Sequence, residues 1–593
     1  MAWGLAIAVI VTLTACGFMS WQLSATKLGD SLNAAFGASP RLHWSAPKAA
    51  SLSLLPWPSV VIVGARLDDA YGVNLLSAPE ARLNLSLIDL LRGRFIPTGV
   101  VLVSPAVTVD VDRPPFAGAE GGAMGPASVA RVLTPLTSLR LSNGVLHLIS
   151  AKRGLDTVID NVQGRFDGLT IGDQLRFNLS AVWRSQPFTL AGAFNDPETA
   201  AKGEASAVVL AFDSPLAKLA FGGALAPGEK PQAEGDLTAS VRSIAALAAF
   251  LDVPPPPVLA ADDIALTARI KAAPDALTLG DAKATSAGQT VEGALEIDDA
   301  AGRPAVSGTL ASDALALEPL LGPPASLFDP SGGWSRKPFP FSILRSFDLD
   351  LRLSAAHLDV YGLPLADAAA SLILENGKLD MVLIEAGAYG GRLKGEAAVA
   401  YAGRDLKMNA RGELSDAKIG EAIADLGEPV ATGTGRAEFA VEASGVSPAA
   451  AIATLTGSAS LKAADGSILG VNLEEALRRS QRRPLDVEHD LRLGATAFDE
   501  LDLSLALSNG RTSVQSGRII SRGVSAELGG DIDLPAQTLD LRVDAAQTGA
   551  DGEKPRDGAR LRVDIDGPWS APEIRAAVDD GAPQPVGDPQ PAH

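Results

Sequence analysis

The sequence predicts a mainly β chain: short antiparallel strands in sequential order, a few short helices, and an N-terminal transmembrane helix. Three observations carry this. Apolar and polar residues alternate one by one in run after run, as in Leu539-Asp540-Leu541-Arg542-Val543-Asp544. That period of two gives a strand one dry face and one wet face. Asn-Gly and Asp-Gly pairs punctuate the runs and supply the positive φ angles of tight hairpins. The opening stretch to Leu23 carries no charge, the first being Lys27.

That stretch is long enough to span a bilayer core, which takes about 20 apolar residues. Residues 1–23 are therefore assigned as an anchor, built on Trp3, Leu5, Ile7, Val9, Ile10, Val11, Leu13, Phe18 and Trp21. Trp3 and Trp21 stand near its ends, where amphipathic rings prefer the interface. A cleaved signal peptide fits less well, because Leu23-Ser24-Ala25 puts leucine where a small residue should precede the cut. Leu13-Thr14-Ala15-Cys16 followed by Gly17 looks like a lipoprotein box, but no basic residue precedes it and the apolar run continues through Trp21.

Region 24–322 opens with a helical pattern at 26–37 and then turns to strands. Leu83, Leu85 and Leu87 fall on one side of a run, as do Val107, Val109 and Val111. A second helical pattern, 243–252, precedes the prolines 254–257. Residues 323–340, rich in Pro, Gly and Ser, read as a linker. Region 341–550 resumes the alternation, with Leu349, Leu351 and Leu353, then Leu503, Leu505 and Leu507, then Leu539, Leu541 and Val543. Its clearest helix is 472–483, with Leu473, Ala476 and Leu477 on one side and arginines toward its end. Asn143-Gly144, Asn376-Gly377, Asp465-Gly466 and Asn509-Gly510 read as turns. A loose internal repeat runs through 287–322, 388–427 and 523–545, with glycines introducing alternating strands. From 551 to 593 the chain turns polar and reads as a tail.

The totals narrow the function. At 593 residues the chain holds several domains or one array of repeated units. Hydrophobic residues make up 47% but aromatics only 5%, which favours thin regular layers of Ala, Leu and Val. A net charge of −20 with no basic stripe excludes a nucleic-acid partner and serves solubility. Cys16 is the single cysteine, so an internal disulfide and a cysteine metal site are ruled out. His43, His147, His357, His489 and His593 are scattered beyond ligand spacing. There is no Gly-x-Ser-x-Gly elbow, no phosphate-cradling loop and no His-Glu-x-x-His. Gly433 and Gly435 lack a third glycine and a βαβ setting. The expectation is a protein that is not an enzyme and uses no cofactor and no metal.

Three stretches resemble the AsmA family of bacterial envelope proteins. The first is 54–112, with Leu90-Leu91-Arg92-Gly93-Arg94 at the family's Leu-Leu-x-Gly-x turn. The second, 334–379, begins Trp334-Ser335-Arg336-Lys337-Pro338, and the third is 457–545. The resemblance implies an inner-membrane anchor with the bulk of the chain in the periplasm. It also implies an elongated, bent antiparallel sheet, a β-groove with an apolar floor, that moves phospholipid toward the outer membrane. The inward Leu and Val residues named above would line that groove and touch acyl chains, with outer-membrane or envelope proteins at the far end. Two other readings stay open at this point. The dry faces could close on each other as two packed sheets, or the chain could be an assembly module for outer-membrane proteins that docks by its strand edges.

Overall fold

The structure is a computed structural model that describes residues 19–24, 42–45, 48–69, 74–92, 97–110, 137–150, 154–168, 174–201, 203–227, 231–252, 262–299, 303–324, 326–402, 405–425, 430–480, 494–548 and 560–579. Residues 1–18 of the expected anchor, the helical pattern at 26–37 and the last fourteen residues lie outside these. The chain divides into two compact units. The first holds residues 1–288 with 294–296, and the second holds 289–293 with 297–593. The division therefore falls inside the strand Gln289–Asp298.

Both units are sheets of sequential hairpins, as the alternation demands. In the first, Trp21–Leu23 pairs with Ala49–Ser53, which pairs with Ser59–Asp69, and that with Asn74–Leu85. From Ser138–Ser150 onward each strand pairs antiparallel with the next, through to Ala276–Ser286. In the second unit the same meander runs from Asp348–Val360 to Glu573–Asp579.

Five expectations need correction. Trp21–Leu23, placed at the end of the anchor, is a strand, with Trp21 opposite Leu52. Among the described residues no helix is long and apolar enough to cross a membrane. Leu87 does not continue its strand but opens the short helix Leu87–Leu91, because Ser86 accepts the Asp89 amide and caps a new turn. The pairing is not wholly antiparallel. Pro97–Val103 and Ala106–Asp110 lie parallel to Ser138–Ser150, and Ala305–Ala316 lies parallel to Asp348–Val360. Parallel neighbours need a long connection, and the presumed linker 323–340 is part of one. Residues 560–579, assigned to the tail, form two strands whose Leu561, Val563 and Ile565 alternate like the rest.

The fifth correction concerns turns. Asn376-Gly377 and Asn509-Gly510 are hairpin turns with positive φ at both residues. Asn143-Gly144 and Asp465-Gly466 instead sit inside strands, where Asn143 and Asp465 take positive φ as bulges. Asn161, Asp281, Asp367 and Asp416 do the same. At each bulge the inward set changes parity: 141 then 144, 159 then 162, 279 then 282, 365 then 368, 414 then 417, 463 then 466. A bulge bends its strand and steepens its twist. Asn and Asp are the side chains that tolerate this left-handed geometry best after glycine.

Candidate functional site

The wet face of each sheet is built from opposite charges placed directly across from one another. Arg411 meets Glu396, Arg542 meets Asp564, Arg562 meets Asp544, and Lys271 meets Glu234. Glu396 raises the Arg411 guanidinium above its ordinary value by hydrogen bonding. Such exposed pairs contribute little stability, but they fix which face meets water. A recess of about 720 Å³ is bordered by polar residues of this face, among them Glu396, Arg411 and Glu438, and also by Gly412, Phe439 and Leu505. There Arg411 pairs with Glu396, and Glu438 with Arg436. Among the described residues no cluster of three or more His, Cys, Asp or Glu side chains could hold a metal ion.

The dry face of the second unit is closed along both rims. Along one, Leu344, Leu374, Val399 and Leu406 are buried, with Phe339, Phe341 and Phe347 of the long connection packed on them. That connection is a strap rather than a free linker. Trp334 donates its indole N–H to the Leu534 carbonyl at 2.8 Å and stacks on Phe328 at 4.7 Å. The Phe339 amide donates to Val446. Asp329 accepts from the hydroxyl and amide of Ser331, which hold its carboxylate below the ordinary value, and also from the Gly333 amide. Along the other rim the helix Leu473–Ser480 buries Leu473, Ala476 and Leu477 against Phe498, Ile519 and Val524. Leu358, Leu365, Ala386 and Leu414 are buried on the same side.

Between the rims run two rows that no element covers among the described residues. One links Leu351, Leu372, Met381, Ala397, Ala410, Val441, Gly457 and Leu507 across eight strands. The other links Leu353, Ala370, Leu383, Gly395, Gly412, Phe439, Ala459, Leu505 and Val514. None of these residues is buried, and Phe439 is 44% exposed. Two packed sheets would bury such positions.

The first unit repeats the arrangement. Gly164, Leu179, Leu190, Phe212, Leu219, Ala239, Leu266 and Ala284 form one register row, and none is buried. One flank is the cluster of Val208, Phe221, Ala268 and Ile270. On the other, Trp183 meets Phe250 of the helix Ile244–Leu251 edge-on at 4.9 Å and donates to Thr157.

The sequence-predicted lining residues fall in three groups. Leu351, Leu353, Leu505 and Leu507 lie in these rows, with Leu353 packed against the Leu358 and Leu365 cluster, while Leu349 packs on the strap cluster. Leu503 faces the same side, opposite Leu461. Leu539, Leu541 and Val543 continue that side farther along the sheet, with Val543 against the helix-capped cluster. Val107 and Val109 are half-buried. Leu83 and Leu85 are buried in a closed core with Val60, Ile62 and Leu102, and Leu87 is exposed on its helix. Val111 and the anchor residues Trp3 to Phe18 lie outside the described residues, and Trp21 is exposed. Sequence reading missed the row through Leu190, Phe212 and Leu219. Its signal was the same alternation, in Phe188-Thr189-Leu190 and Leu210-Ala211-Phe212.

Residues 331–516 match the model of the AsmA family. The match takes in the strap from Ser331 and the whole of the uncovered strip in the second unit; the first unit lies outside it. No curated protein and no solved structure matches the chain.

Proposed function

For a chain that is AsmA-like over residues 331–516, with an uncovered apolar strip in each sheet, we propose phospholipid transfer without catalysis. The single observation behind this is the strip itself: large apolar side chains in register across many strands, sealed at the rims and open between. A lipid tail crossing water exposes every methylene at a cost of about 0.8 kcal/mol each. A bent sheet with this strip as its floor is a trough that removes most of that cost. The acyl chains lie on the apolar floor while the head group stays in water. The chain is held at the inner membrane by its N-terminal segment, with its bulk in the periplasm, and it moves phospholipid toward the outer membrane. Its partners are lipids, and envelope proteins at the distal end.

The test is photo-crosslinking in cells from Leu351, Leu505 and Leu541. Phospholipid attached at these positions supports the reading. Protein attached instead, with no lipid, supports an assembly module. Leu505→Arg adds a charge to the floor while the rims stay sealed. It is expected to yield folded protein that loses lipid. A folded Leu505→Arg protein carrying lipid at the wild-type level would remove Leu505 from the route.

A further inference from the structure

Phe439 and Gly412 form a unit that the open strip gives a purpose. The two residues face each other directly, on the neighbouring strands Asp405–Lys418 and Thr434–Ser444. A methyl carbon built on Gly412 would sit 2.6 Å from Cε1 of the Phe439 ring. The ring therefore lies flat across strand 405–418, in space that exists because residue 412 has no side chain. Gly395, opposite Gly412 on the next strand, extends the bare floor. Phe498 lies over Gly466 in a similar way, yet it is only 3% exposed, within the helix-capped core. That pair is simply packing. Phe439 is 44% exposed, in the middle of the strip.

Resting on the conduit reading above, we infer that Phe439 is the residue that sets the clearance of the second unit's strip, and that Gly412 is the bay in which its ring is parked. With the bay empty the ring adds to the floor. With any side chain at 412 the ring must take another staggered rotamer and stand up from the sheet, narrowing the strip between Leu372 on one side and Leu505 on the other. An aromatic ring that is large, stiff and apolar suits this role better than a flexible chain.

The test uses the full-length protein in cells, with a photo-crosslinker at Leu372 or at Leu505 and folding checked by limited proteolysis. Wild type is expected to yield phospholipid at both positions. Gly412→Ala is expected to lower the yield severalfold at one position or both. Gly412→Ala combined with Phe439→Ala is expected to regain it, because the obstructing ring is gone. If Gly412→Ala folds and keeps the wild-type yield at both positions, the inference fails while the conduit stands. It fails equally if the double variant stays as low as Gly412→Ala, since the loss then comes from the backbone and not from the ring. Should Gly412→Ala not fold, Phe439→Trp replaces it. The larger ring overfills the bay, so a severalfold loss is expected and an unchanged yield overturns the proposal. No lipid at either position in wild type sinks the conduit reading and this inference together.

Discussion

Leu83 and Leu505 are the same residue type on the same kind of alternating run, yet they hold different amounts of the fold. Leu83 is 4% exposed and packed among Val60, Ile62, Ala81 and Leu102. Leu505 is half-buried beside Ala459 and Val514. Truncation at Leu83 leaves a cavity in a closed core, so Leu83→Ala should destabilise the first unit by about 2–5 kcal/mol. Leu505→Ala removes side-chain area that already meets water and should cost the second unit about 1 kcal/mol or less. Urea unfolding of each variant, followed by proteolysis within each unit, measures the difference. Equal costs at the two positions would mean that the strip is covered after all. The alternation identified the inward side at both residues. It could not separate depth from direction, because depth depends on what a remote segment lays over that side. At Leu349 the cover is the strap; at Leu505 the described residues supply none. The strap itself was hidden by composition: Pro, Gly and Ser in 323–340 look like a linker. Trp334 and Phe339 fasten it through single long-range hydrogen bonds and rings that leave no periodic trace, while Asp329 closes only its own turn.

At the scale of the element, the strands were legible and their irregularities were not. Asn143, Asn376, Asp465 and Asn509 all take positive φ before their glycines, whereas in Asp167-Gly168 and Asp566-Gly567 only the glycine does. What the chain does next depends on the flanking strands. After Asn376 and Asn509 it reverses, whereas after Asn143 and Asp465 it continues with one extra residue. The conversions at Asn161, Asp281, Asp367 and Asp416 carry no glycine partner, so only the broken alternation betrays them. The Arg184-Ser185 hairpin has no glycine either. These bulges decide which side chains reach the floor. Asp465 has φ +49° and separates the inward set ending at Ala463 from the one beginning at Gly466 and Ile468. Asp465→Gly should be close to neutral. Asp465→Val should destabilise by roughly 1–2 kcal/mol, the cost of left-handed geometry for an ordinary L-residue. Deleting Asp465 should do far more, because a shift of one residue turns Ile468 from the capped cluster to the wet face. Chemical denaturation of the three variants checks the order. If the deletion is as mild as the glycine variant, the bulge does not set the register.

Over the whole molecule, two units of different sequence arrive at the same design. Opposite charges pair across strands on one face; small and aliphatic residues in register form a strip on the other. The first unit's strip carries Phe212 and Leu219 where the second has Phe439 and Leu505, and neither depends on a charged or catalytic group. On the proposed reading, this recurrence is what a route requires and a pocket does not. A protein that stores one ligand needs one enclosed site, while a conduit needs acyl chains to rest wherever the floor is open. Crosslinkers at Leu190 in the first unit and at Leu505 in the second should therefore both capture phospholipid. Salt gives a second discrimination. Contacts between methylenes and an apolar floor are not screened by ions, whereas docking of a protein onto a surface of net charge −20 is. Raising sodium chloride from dilute buffer to about 1 M, where the Debye length falls to about 3 Å, should leave the lipid yield at both positions unchanged. Lipid at one position only would reduce the conduit to a single binding site. Loss of yield with salt at both would mean that the head group, not the tail, holds the lipid, and the apolar strip would no longer be the reason the protein binds it.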